Sequence, residues 1–505
     1  MAKFTRKNAW EYEGTFNNPD LLWYAKAVGV MQSRTLNDEN SWWFFAAMHG
    51  EQMGGSTFPN WNVIPGPPNI PTSPLPDPDT MKKYWNQCQH QSWYFAPWHR
   101  GYLIALEEQI RQAVISLGGP ADWALPYWNY LGDGDQYKIP PAFTQKTLPD
   151  GKTPNPLYVT ARYGPKSDGN VYVVIPPLSE ACQGNTIYTG SNSATSKPGY
   201  GGPETKFSHD GATSGNLESN PHNLVHVQVG GNDGIMSDPD SAGLDPIFYL
   251  HHCNIDRMWA AWNVKNSNPI NPLWLGGPAL YGEREFIMPL PDNKAWVYTP
   301  EEMTSLAKLD YTYDDLEPTT APLVEKTLSQ RLTKLGVQSV ETENLQEQDM
   351  DLGDNSELVG ANTGQVQIDG SGAKTTVKLE SSSWKNVPNS LMKASVSNLP
   401  DQVYLQLENV KGTRDANILN VSVNHQLAGH VSLFGLRNAS DKDGHNGGTG
   451  LTFILNITDI IDNLFINNQL DINSLDVTIL PDNVIPSDEK ITVGRVSIYR
   501  EEQKL

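Results

Sequence analysis

Cysteine is scarce in this chain of 505 residues: Cys88, Cys182 and Cys253 are the only three. An odd, sparse set does not make a disulfide framework. Basic residues are also short, 36 Lys and Arg against 57 Asp and Glu, for a formal net charge of −21 and a pI near 4.9. That balance argues against nucleic acid and acidic membranes as partners. No apolar run approaches the roughly 20 residues that span a bilayer. The opening MAKFTRKNAWEYEG has no apolar leader core, so a cytoplasmic location is the default expectation. Repeats of solenoid type are absent.

What is present is aromatic and ordered. Fifteen Trp and 37 Pro indicate a packed, loop-rich body. The length suggests two to four domains. Residues 17–49 read as helix, broken near Thr35. Residues 59–78 carry eight prolines and read as an extended surface loop. Helical patterns follow at 81–90, 97–115, 221–228 and 246–262. Residues 131–215 are rich in Gly, Pro, Ser and Thr, too long a stretch for an idle loop, and are expected to wall a pocket. Residues 341–358 hold seven acids and no base, the pattern of a solvated tether. Beyond them come short alternating runs, such as Val403/Leu405/Leu407 and Leu475/Val477/Ile479, interrupted by a short helix at Asp459–Phe465. The expected division is a mainly α domain over 1–325, a four-helix bundle in form, an acidic linker over 326–370, and an all-β, sandwich-like domain over 371–505.

The chemistry sits in DPIFYLHHCNIDRMWAAW, residues 245–262. Asp245 can cap the helix and Pro246 suits its first position. Phe248, His252, Ile255, Trp259 and Trp262 then recur at helical spacing. The stretch WYFAPWHRGYLIALEEQIRQ, residues 93–112, repeats the design: Phe95 precedes His99 by four residues, as Phe248 precedes His252. A buried imidazole needs a proton partner or a metal. His222 and His226 lie four apart and share one helix face. His49, His90 and His99 form one candidate triad, His222, His226 and His252 the other. A lone buried histidine is usually a satisfied core residue, but six inside two matching motifs are not. The zinc-protease pattern would place Glu where Asn223 stands, and di-iron bundles need Glu-x-x-His. Imidazoles without carboxylate suit copper.

The segments CQHQSWYFAPWHRGYLIALEEQIR, ESNPHNLVHVQVGG and MSDPDSAGLDPIFYLHHCNIDRMWAAW resemble the two copper-binding regions of the tyrosinase and polyphenol oxidase family, the type 3 copper proteins. The resemblance covers about residues 1–315 and implies two copper ions as cofactors, with O2 as co-substrate. It implies copper ligands at His49, His90 and His99, and at His222, His226 and His252. In the HisHis pair the family's ligand is the second, which leaves His251 a supporting role by a hydrogen bond near the site. Cys88 stands where some members form a thioether to the histidine at His90. Phe95 and Phe248 match aromatics that pack between ligand rings, and Asp256 with Arg257 matches a structural acid–base pair. Glu218 and Asn223 match residues thought to polarise a water that deprotonates the phenol. Pro239 replaces a Phe that gates plant members. DYTYD (310–314) resembles the family's Tyr-x-Tyr motif, with Arg6 its expected cation–π partner at Tyr311 or Tyr313.

Residues 375–505 resemble the domain that shields the site in latent plant and fungal enzymes, with Phe434 the expected plug. The implied activity is ortho-hydroxylation of monophenols and oxidation of o-diphenols to o-quinones, latent until the tail is displaced. The partners would be small-molecule phenols and catechols; no oligomeric state follows. A catechol oxidase or o-aminophenol oxidase without monophenolase activity is one alternative, hemocyanin-like oxygen binding another. His209, His425, His430 and His445 are expected on the surface or in loops. Cys182 and Cys253 are expected to be plain thiols.

Overall fold

The computed structural model describes residues 3–190, 198–317, 328–337, 356–444 and 446–503. Most of the acidic run and His445 lie outside the described residues. The chain divides into two units: Met1–Thr189 with Tyr200–His209 and Gly215–Pro322, and Gly190–Gly199 with Asp210–Ser214 and Leu323–Leu505. Among the described residues, no helix is long and apolar enough to cross a membrane.

The first unit is helical. Its helices are α1 (Pro19–Gln32), α2 (Trp42–His49), α3 (Pro78–Tyr84), α4 (Phe95–Ser116), α5 (Leu224–Gly230), α6 (Pro239–Ala242), α7 (Pro246–Trp262) and α8 (Pro272–Gly276). Capping follows the sequence. Asp245 accepts from Ile247 N at 3.0 Å and Ser41 from Phe44 N at 3.0 Å, each filling an orphan donor of a first turn. Two expectations need correction. The break expected near Thr35 is longer: the second helix starts only at Trp42, after a polar turn in which Asp38 accepts from Asn40 N at 2.9 Å. The 81–90 helix stops at Tyr84. Trp85 is extended, Asn86 takes a left-handed φ of 51°, and His90 stands on an irregular loop.

One buried charge network closes this unit. Strands β1 (Phe4–Arg6) and β4 (Tyr311–Tyr313) pair in parallel, and the hairpin β2 (Phe286–Leu290) with β3 (Lys294–Tyr298) lies between them in sequence. Arg6 lies 3.8 Å from the centroid of the Tyr311 ring and 5.7 Å from that of Tyr313. Its guanidinium pairs with Glu107 at 2.6 Å and Asp256 at 3.1 Å. Asp256 also binds Arg100 at 2.5 Å and accepts from the hydroxyls of Tyr311 and Tyr313 at 2.6 and 2.5 Å. Arg257 instead donates to Asn254 Oδ1 at 2.9 Å and lies 3.8 Å from Glu180.

The second unit is β-rich. Its strands are β5 (Ser356–Ala361), β6 (Val366–Ile368), β7 (Ala373–Leu379), β8 (Gln402–Lys411), β9 (Ile418–Val423), β10 (Gln426–Ser432), β11 (Leu451–Asn456), β12 (Ser474–Pro481) and β13 (Ile491–Glu501). They join one sheet in the order β10-β9-β12-β7-β5-β13-β8-β11, with β6 on β13. Every strand pair is antiparallel. Gly429 of β10 sits against Leu455 of β11, so the sheet nearly closes on itself. A closed edge leaves few unpaired backbone groups. The inward sides, including Val377, Leu405, Leu407, Val421, Val477 and Val496, make one apolar core. Phe434, after β10, is buried. Two stretches within 326–370 are ordered parts of this unit: β5 with β6, and a helix at Leu328–Lys334. That helix is held by Arg331, whose guanidinium is bidentate to Asp462 at 2.8 and 3.1 Å.

Burial pushes the Asp256 carboxyl up, but Arg100, Arg6 and the two tyrosine hydroxyls outweigh it and hold it below the usual range. A depressed carboxyl contributes stability above its unfolded pKa and loses it as pH falls through the folded one. Removing one partner of a buried pair typically costs about 3–5 kcal/mol. Arg6→Ala is therefore expected to destabilise the first unit by about that amount at pH 7. The gap to the unsubstituted protein should narrow below pH 4, read by urea denaturation. An unchanged midpoint at pH 7 would count against the network.

Candidate metal centre

The six expected ligands and His251 gather at one place in the first unit. His49 ends α2, His90 stands on the loop before α4, and His99 lies in α4's second turn. His222 precedes α5, which carries His226, and α7 carries His251 and His252. Ring nitrogens of His49, His90 and His99 lie within 4.8 Å of one another, as do those of His222, His226, His251 and His252. The two groups touch: His99 stacks on His252 at 4.4 Å between centroids, and His90 lies 5.9 Å from His222.

Phenylalanines set the spacing between them. Phe95 meets His99 and His222, one from each group, at 4.7 Å each. Phe248 meets His252 at 4.1 Å and His49 at 4.7 Å. Both are fully buried, so neither ring can retreat without opening a cavity.

Peptide carbonyls fix which nitrogen of each ring carries the proton. The Nδ1 of His49 lies 2.9 Å from the carbonyl of Pro239, that of His99 2.8 Å from Phe95, and that of His226 2.8 Å from Met236. A carbonyl can only accept, so each Nδ1 must donate and each Nε2 must present a lone pair. His222 Nδ1 lies 2.7 Å from Asn223 Oδ1, the same arrangement with a side-chain amide. The Nε2 atoms then converge: His252 Nε2 is 3.2 Å from that of His222 and 3.4 Å from that of His226. The Nε2 atoms of His49 and His99 are buried with no hydrogen-bond partner among the described residues. Lone pairs facing one another without a proton repel, and a divalent cation between them relieves that. The donor set therefore fits a metal bound by neutral imidazole on each side, and its lack of carboxylate favours a soft-to-borderline ion.

The remaining candidates are placed as follows. His251 belongs to the second cluster, with a ring nitrogen within 4.8 Å of those of His222, His226 and His252, so four imidazoles meet there. Cys88 Sγ is 3.4 Å from His90 Nδ1, beside the ring it was expected to cross-link. Glu218 is buried, and its two carboxylate oxygens accept from Gln91 N at 2.9 and 3.0 Å. Pro239 opens α6, and its carbonyl orients His49.

His209, expected on the surface or in a loop, lies in a loop; its side chain is 12 % exposed, with Nδ1 3.1 Å from Cys88 Sγ and 3.1 Å from the Cys88 carbonyl. Segment 205–209 runs beside residues 88–93, joined by His90 N to Ser208 O and Ser208 Oγ to His90 O, both at 3.0 Å. No spacing in the sequence marks that pairing.

Fold and site together define a helical core around two facing histidine clusters, followed by a β-rich unit. The profile described as the common central domain of tyrosinase matches residues 39–265. A domain of unknown function, DUF7868, matches residues 355–501. A tyrosinase of Hahella sp. (strain CCB-MM4) is 30% identical over 98% of this chain and 99% of its own length. The latent chloroplastic polyphenol oxidase of Prunus armeniaca is 28% identical over 38% of this chain and 33% of its own. The structure of latent apple tyrosinase covers 99% of this chain and 98% of its own at 19% identity, with a TM-score of 0.57, and shows the same fold. The chain belongs to the tyrosinase family.

Burial, before any neighbour, holds His49, His90, His222, His226, His251 and His252 well below the ordinary histidine range, and His99 down to about 3. The folded, metal-free protein thus keeps these rings neutral where the unfolded chain takes up protons. Stability is retained above about pH 6.5 and lost as pH falls below it. Each ring contributes about 1.4 kcal/mol per pH unit there. Urea midpoints in a chelating buffer should fall steeply from pH 7 to 5; a flat profile would mean the rings are not buried neutral.

Proposed function

We propose that this chain oxidises phenols with O2 at a pair of copper ions. His49, His90 and His99 would hold one, and His222, His226 and His252 the other. The convergence of unprotonated Nε2 atoms on two adjacent points is the observation that carries this reading. Bound there, paired copper supplies the chemistry of dioxygen and the uptake of electrons.

The chain's own residues do the rest. Carbonyls of Pro239, Phe95 and Met236 and the amide of Asn223 hold the ligand rings in one tautomer. Phe95 and Phe248 hold the two clusters at fixed spacing and keep water from their flanks. Glu218 and Asn223 hold a water that takes the proton of an incoming phenol, which must lose it before it can ligate a metal. The monophenol is hydroxylated at the ortho carbon, and the catechol loses two electrons and two protons to give the o-quinone. A thioether between Cys88 and His90 would further fix that ring, which the position of Sγ beside the ring supports. Pro239, smaller than phenylalanine, leaves more room for a bulky phenol.

The proposed division is a catalytic domain ending near residue 325 and a shielding domain that includes the helix Leu328–Lys334 and strands β5 and β6 as well as residues 371–505. The intact chain is latent under this proposal. That the structure of latent apple tyrosinase shares the fold over 99% of this chain supports that reading.

Metal analysis tests the site. Two coppers per chain are expected, falling to one in His252→Ala; two in that variant would refute the ligand assignment. Oxygen uptake tests the reaction, on a monophenol and on a catechol, for the full chain and for a chain ending near residue 325. The short chain should consume oxygen with both substrates, and the full chain at least tenfold more slowly if the tail shields the site. Uptake with catechol alone would make it a catechol oxidase. Reversible oxygen binding without quinone would make it a carrier. Equal rates for the two chains would remove latency.

A further inference from the structure

A residue outside the ligand set joins the two clusters. Gln91 directly follows His90 and has a left-handed backbone, φ 48°, though it is neither glycine nor asparagine. Such a conformation is unfavourable for a side chain of this kind and persists only where its surroundings hold it. The surroundings do so here. Ser208 takes both backbone groups of His90: its carbonyl accepts from His90 N and its hydroxyl donates to His90 O, at 3.0 Å each. Ser208 N in turn donates to Gln89 Oε1 at 2.9 Å. With His90 clamped, the next peptide can turn its N–H in only a narrow range of directions. The left-handed turn aims it at Glu218, whose two oxygens accept at 2.9 and 3.0 Å.

Glu218 stands four residues before His222, in the turn that leads into α5. The contact therefore crosses from the loop of the first histidine group to the approach of the second. Gln91 is buried, as is Glu218. Water does not loosen a hydrogen bond buried at such a place.

We infer that Gln91 is a positioning residue: its left-handed backbone straps the His90 loop to Glu218 and so sets the distance between the two histidine groups. The inference rests on the dicopper reading but concerns metal geometry, so it can fail or hold apart from the oxidation chemistry. It also gives Glu218 a task that needs an accepting oxygen rather than a base.

The two tasks separate by substitution. Glu218→Gln keeps an accepting oxygen and loses the base, whereas Glu218→Ala loses both. Gln91→Gly and Gln91→Asn accept the left-handed backbone, whereas Gln91→Val resists it. The readout is cobalt(II) titration of the metal-free full chain, followed by its visible absorption, with circular dichroism as the folding control.

Expected are two cobalt ions per chain with unchanged affinity in Glu218→Gln, Gln91→Gly and Gln91→Asn. Glu218→Ala and Gln91→Val should bind one ion roughly 10–100-fold more weakly, the usual cost of losing a group that orients a ligand. Unchanged affinity in Glu218→Ala would overturn the inference. So would equal weakening in Gln91→Gly and Gln91→Val, since the side chain rather than the backbone would then be responsible. If Gln91→Val does not fold, the Glu218 pair and Gln91→Gly decide between the same outcomes. A protein that shows the expected cobalt pattern but oxidises no phenol keeps the strap and loses the proposed function.

Discussion

Repulsion between buried lone pairs is the constraint on which this structure depends. Several imidazoles point unprotonated nitrogens at two adjacent places inside an apolar core. Left alone, each ring would rotate or take up a proton. For His49, His99, His222 and His226 the fold opposes both by giving Nδ1 a fixed acceptor. Under the proposed metal site, a bound metal would relieve that repulsion, and its binding energy would become folding energy for the loops around it.

The acceptors come from distant parts of the chain. His49 on α2 is oriented by Pro239 at the start of α6, and His226 on α5 by Met236 just before it. His99 is oriented from within its own helix, by Phe95 one turn back, and His222 by its neighbour Asn223. The short stretch between α5 and α7 that contains α6 thus orients histidines on both sides. Its residues 234–245 are buried, and they pack tightly enough that a Cβ on Gly50 would meet the Pro239 carbonyl at 2.8 Å. Loops in this unit are instruments of ligand geometry, held by a helical frame.

How much of this the sequence discloses depends on the kind of atom involved. Helix α7 is legible to the residue, because its cap, its first-turn proline and its apolar spacing all agree. The shared phenylalanine-to-histidine spacing discloses the duplication of the site and which rings would face inward. Backbone groups leave no such mark. The carbonyls of Pro239 and Met236, the N–H of Gln91, and the run of Ser208 and His209 beside Cys88 and His90 are products of tertiary placement. Alternation in the second unit similarly discloses which side chains face inward, since period two is local. The order β10-β9-β12-β7-β5-β13-β8-β11, and the near closure that follows from it, are set by pairing across the chain and have no local signal.

The charge network and the histidine clusters are one construction seen from two ends. His252 and Asp256 are four residues apart on α7 and lie on one face, a turn from each other. His99 and Arg100 are adjacent on α4. The Arg100–Asp256 pair at 2.5 Å therefore bolts α4 to α7 one turn from where His99 and His252 stack at 4.4 Å. An apolar contact at that level would stabilise the packing as well, yet it would tolerate sliding of one helix along the other. A fully buried carboxylate that must satisfy Arg6, Arg100, Tyr311 and Tyr313 together admits a single register. The first and last strands of the unit, β1 and β4, supply three of those four groups, so the register of the ligand helices is set by the pairing of segments about 300 residues apart. The pairing that closes the unit at its ends thereby holds α4 and α7 at the level where His99 and His252 meet.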